Sequence, residues 1–109
     1  MMLVNRKRGE IVASLGGKDR CLCLTLGALA RLETAFAVSD LAALGERFSS
    51  GRLSARDLMV IIHAGLEGGG HTFTLDDVAE MQVDGGIAGY AAIVSDLLAA
   101  TFGEAETDG

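Results

Sequence analysis

The apolar residues of this chain change their spacing once, near Gly27, and that change limits the folds open to it. Before it they alternate. In "RCLCLTL", Leu22, Leu24 and Leu26 share one face of an extended strand, with Cys21, Cys23 and Thr25 on the other. After it they recur at three and four, as in Leu29, Leu32 and Phe36, the spacing of a helix with one buried side. A β-sandwich or barrel would need the alternation to continue, and it does not.

The alternating part reads as a β-hairpin. "EIVASL" and "RCLCLTL" flank "GGKD", where Gly16 and Gly17 supply the positive φ of a tight turn. The leucine face of the second strand is expected to meet the core. Cys21 and Cys23 then lie on the outer or half-covered face. A zinc site there would need two more ligands, and the chain has no other cysteine.

The helical part divides at Gly, Ser, Thr and Asp, because the chain has no proline. Ser39 is the expected N-cap of a helix with the stripe Leu41, Leu44 and Phe48. Ser54 caps a third, with Asp57 completing a short-armed capping box and a face of Leu58, Ile61, Ile62, Gly65 and Leu66. The last helix, "GIAGYAAIVSDLLAATF", carries Ile87, Tyr90, Val94, Leu97, Leu98 and Phe102, while its alanines permit close helix approach. The expected fold class is therefore α+β: a hairpin over about 9–26, then a mostly helical bundle of about five short helices over about 27–102. A polar tail, 103–109, follows. The 109 residues suit one domain.

One stretch, "HAGLEGGGHTFTLDDVAEM", offers a rival chemical reading. His63, Glu67 and His71 are residue types that bind metals, but no two histidines stand four residues apart as in a zincin helix. The glycines are not followed by Lys-Ser/Thr, and the next helix opens with acids that repel phosphate. Helix rules account for all of it. The third helix ends near Glu67, Gly68 to Gly70 turn the chain, and Thr74 caps a helix whose first turn holds Asp76 and Asp77. No context resembles a nucleophile elbow or a thiolate-stabilising helix start. No catalytic residue, metal or cofactor is expected.

Charge is divided along the chain. All nine Lys and Arg lie at or before Arg56. Up to Asp57 they outnumber six acids, leaving +3, whereas the rest carries nine acids and no base. Such a molecule has electrostatic ends. The candidate partner-binding residues are Arg6, Lys7 and Arg8 at one end and Asp76, Asp77, Glu80 and Asp84 at the other. Three basic residues without interleaved aromatics do not make a nucleic-acid site. The longest uncharged run, Gly85 to Ser95, has eleven residues, against about 18–20 for a membrane span. The start, "MMLVNRKRGE", has no apolar stretch behind its charges, unlike a secretory signal. Cys21 and Cys23 sit too close for an easy bridge, so reduced thiols and a cytoplasmic location are expected.

The order of these pieces resembles a known family. "NRKRGEIVASLGGKDRCLCLTLGALARLE" is similar to the opening of the gene transfer agent family proteins, encoded among tailed-phage-type structural genes. The group is described both as phage tail-assembly-chaperone-like and as phage tail tube proteins. The resemblance rests on Arg8-Gly9-Glu10, then Thr25, Gly27, Ala28, Leu29, Ala30, Leu32 and Glu33, then "SARDLMVIIHAGLEGGG" and a small-residue-rich last helix. It spans about Asn5 to Phe102 and carries no catalytic signature. It implies a non-enzymatic assembly protein of a phage-like particle, binding tape-measure or tail tube protein. The opposite charges add pairing between copies as an expectation, and neither nucleic acid nor membrane is an expected partner. A tube subunit is a β-rich ring former, and one hairpin with about five helices favours the chaperone-like role. The alternative is a structural component retained in the particle.

Overall fold

The computed structural model describes residues 9–103. Two strands, β1 (Glu10–Leu15) and β2 (Lys18–Cys23), form an antiparallel hairpin. Five helices follow: α1 (Leu26–Ala35), α2 (Leu41–Ser49), α3 (Ala55–Gly68), α4 (Leu75–Glu80) and α5 (Gly86–Phe102). The α+β class and the switch of spacing are as the sequence predicts.

Leu15 pairs with Lys18, so the turn is only Gly16 and Gly17, both at positive φ (64° and 85°). That twist suits a two-residue hairpin. The register puts Ile11, Ala13 and Leu15 on the face of Leu22, and these four are buried. Cys21 and Cys23 are half-buried on the other face. Burial raises the Cys21 thiol above its ordinary range, and the charge of Glu10 adds to this. The thiol therefore stays protonated at neutral pH.

The second strand is shorter than its alternation suggests. It ends at Cys23, and Thr25 accepts the Ala28 amide to start α1 at Leu26. Leu26, expected on the core face, is therefore 79 % exposed. A local N-cap bond outweighed the period-two pattern. Two further expectations fail at α2. Its N-cap is Asp40, which accepts the Ala43 amide at 2.8 Å, and not Ser39. Leu41 then turns outward, leaving Leu44 and Phe48 as the buried residues.

The caps of α3 and α4 form as predicted. Ser54 and Asp57 bond reciprocally at 2.9 and 3.1 Å, and Thr74 and Asp77 at 2.9 and 3.0 Å. The Ser54 amide holds the Asp57 carboxyl below the usual carboxylate range, helped by Arg47 at 3.0 Å. Helix α3 packs against β2 and α1, and α5 packs against β1 and α3. Between them lie Leu22, Leu32, Ile61, Ile62, Leu66 and Leu97, each at most 1 % exposed.

Helix α1 ends without a glycine. The Val38 amide bonds Glu33 and the Ala37 amide bonds Thr34, with Ala37 in the left-handed region at φ 57°. A Cβ is disfavoured there. Ala37→Gly is therefore expected to stabilise the protein by about 0.5–1 kcal/mol, read as a raised urea midpoint at constant slope.

Candidate functional site

The run from His63 to Met81 forms the end of α3, a glycine turn and the capped helix α4. Gly70 at φ 97° completes the C-terminal turn of α3: the His71 amide bonds Leu66 and the Gly70 amide bonds Glu67. His63 donates from Nε2 to the Phe73 carbonyl at 2.7 Å and lies 3.7 Å from Glu67, which also meets Arg31 at 3.1 Å. The His71 ring stacks on Phe73, with the Arg20 guanidinium 4.9 Å from the same ring. The two histidines thus hold the α3–α4 turn by different means. Among the described residues, no three His, Cys, Asp or Glu side chains come together where a metal could sit.

A more distinctive surface lies between α2 and α5. The helices diverge over a cleft of about 610 Å³. Its floor is Leu53, Leu58 and Val94. Gly45 and Phe48 form one wall, and Ile87, Ala91, Leu98 and Phe102 the other. No lining side chain is ionisable. The Ser49 hydroxyl is already spent on the Gly45 carbonyl at 2.8 Å. One end is closed by aromatic rings, Phe36 on Phe48 at 5.2 Å and Phe48 on Phe102 at 6.3 Å, each edge-on. Arg47 lies over Phe36 while bonding Asp57 and the Arg52 carbonyl, so its charge is neutralised beside the cleft. Such a cleft suits an apolar surface.

Helix α5 explains why the cleft stays open. It has one charged residue, Asp96, among 17. Yet only Val94 and Leu97 are buried. Ile87 and Phe102, expected in the core stripe, are 64 % and 42 % exposed. The reason is steric: the hairpin and α3 cover one side of α5, while α2 meets it through Phe48 against Phe102 and leaves the rest of that side open. The signal was in the sequence, since a helix apolar on every side needs cover on every side. The expected interaction residues are placed elsewhere. Asp76, Asp77 and Glu80 are exposed on α4, with the Asp77 carboxylate committed to its cap, and Asp84 is exposed after it. Arg6, Lys7 and Arg8 lie outside the described residues. No helix among the described residues is long and apolar enough to cross a membrane.

Comparison with known proteins gives one family. A model described as "Phage tail tube protein, GTA-gp10" matches residues 8–104. Comparisons with curated proteins and with solved structures find no match.

Proposed function

The chain belongs to the phage tail tube protein, GTA-gp10 family, and from that premise we propose that it is a structural component of a phage-like tail, working by contact and not by catalysis. The α2–α5 cleft carries this reading: a family member leaves its most apolar helix half uncovered. An apolar helix face of another tail protein would fill the cleft, in the manner of helix-in-groove recognition. The acids Asp76, Glu80 and Asp84, with Arg6, Lys7 and Arg8, would orient neighbours by charge. That contribution should fade at high salt while the apolar contact persists.

The test is mass spectrometry of purified particles together with co-purification of candidate tail proteins. Stoichiometric presence in particles supports a component. Ala91→Glu should weaken capture of the tail partner at least about 30-fold, because a buried unpaired charge costs several kcal/mol. It should leave the melting point nearly unchanged, since Ala91 is exposed. Undiminished capture would remove the cleft from the interface.

One observation favours the assembly-chaperone reading. Among the described residues the sheet has two strands, and the C-terminal turn of α3 lies against the outer edge of β2 at Cys21 and Cys23, which obstructs that edge for pairing with a neighbouring subunit. Absence from mature particles, with retained binding to tape-measure or tube protein, would select that role.

A further inference from the structure

A second apolar cavity of about 190 Å³ adjoins the cleft, lying beneath α4. Leu58 and Ile87 line both. Its other walls include Met59, Val78 and Tyr90. Helix α4 is the roof, and its attachments are few. It has six residues and buries one of them, Val78. Its root is firm, because Phe73 is held by His63, His71 and Arg20. Its far end is held by two hydrogen bonds to the connector 81–85, Tyr90 Oη to the Met81 carbonyl and the Gly16 amide to the Gln82 carbonyl at 3.0 Å, and by Met81 and Val83, which are only half-buried against the core. The connector then passes through Gly85 and Gly86, both at positive φ (87° and 58°). Two adjacent glycines absorb backbone rotation with little steric cost. The Asp84 carbonyl rests on Gly89, which has no side chain to interlock with it.

We propose that the segment from Thr74 to Asp84 is a flap, rooted at Phe73, hinged at Gly85–Gly86 and latched by Tyr90, whose opening joins the cavity beneath α4 to the α2–α5 cleft. Opening lengthens the apolar surface past Ile87 to the bed of Val78, so a docking segment could engage both. The flap is a property of this fold and does not depend on which tail protein docks. Apart from the Gly16 amide, which loses the Gln82 carbonyl, the hairpin keeps its own ladder bonds when the segment swings away.

Native-state hydrogen exchange across a denaturant series tests this on the full chain. The reporters are the amides of Val78 and Met81, whose bonds lie in a six-residue helix too short to persist once it leaves its bed, and that of Gly16, whose acceptor is the Gln82 carbonyl. These three should exchange at least about 100-fold faster than the amides of Ile61 and Ile62, with little denaturant dependence, as for a local opening. Gly16 should follow the flap and not the hairpin to which it belongs. Tyr90→Phe should speed all three about five-fold, the effect of one lost hydrogen bond. Leu32→Ala, far from the flap in the α1 core, should speed the α3 amides and leave the three reporters unchanged. The flap is refuted if the reporters share the protection and denaturant slope of α3, or if Leu32→Ala moves both groups equally. It loses its latch if Tyr90→Phe moves none of the three.

Discussion

Gly68→Ala is expected to cost about 3 kcal/mol or more. A Cβ on Gly68 would lie 1.8 Å from the Cys23 carbonyl oxygen, and one on Gly69 would lie 2.0 Å from that of Cys21. Both obstacles are backbone, so no side chain can rotate away. To make room, α3 must withdraw from β2 along its C-terminal turn. That would drag Leu66 and Ile62, both fully buried, out of contact with the hairpin. Gly45→Ala is the control. It lies inside α2 with nothing within 4 Å of its Cβ, so alanine there should stabilise by about 0.5–1 kcal/mol. Chemical denaturation of the two variants should give midpoints displaced in opposite directions. A Gly68→Ala variant with the parent midpoint would mean that α3 does not approach β2 this closely.

Ile61→Ala and Leu32→Ala should each cost about 2–5 kcal/mol. Ile61 is fully buried on α3, and Leu32 is 1 % exposed on α1. The two helices pack on each other, so neither cavity is near solvent that could collapse into it. For a chain of this size, each kcal/mol lowers Tm by roughly 4 °C or more. Thermal unfolding should therefore place both variants well below the parent, with Leu26→Ala indistinguishable from it. Leu26 has the same side chain but is 79 % exposed. A large loss at Leu26 would mean that the chain enters α1 differently.

The contrast between these leucines shows where pattern stops being informative. Leu22, Leu24 and Leu26 are equivalent by alternation, and two of the three are buried. Nothing in the spacing marks Leu26 as the exception. Thr25 does, because its hydroxyl can accept an amide three residues on, and a cap of that kind ends a strand as firmly as it starts a helix. The capping boxes at Ser54 and Thr74 were legible for the same reason: both partners lie within four residues. At α2 two adjacent residues, Ser39 and Asp40, could each cap, and either gives a plausible helix. The structure takes Asp40, whose carboxylate accepts the Ala43 amide, and Leu44 and Phe48 are the buried residues of the helix that follows.

Local chemistry alone determined the hairpin, the helix count, the two capping boxes and the absence of a zincin or phosphate-loop pattern, because each depends on groups a few residues apart. The glycine run was legible only as a turn. Its tighter constraint, that Gly68 and Gly69 carry no side chain so that β2 can lie against α3, joins residues more than forty positions apart. The cleft is of the same kind. Sequence shows that α5 is apolar on every side, but not which sides the hairpin and α3 cover and which they leave to a partner. That is set by where helices of fixed length come to rest against a two-stranded sheet, and only the packed chain decides it.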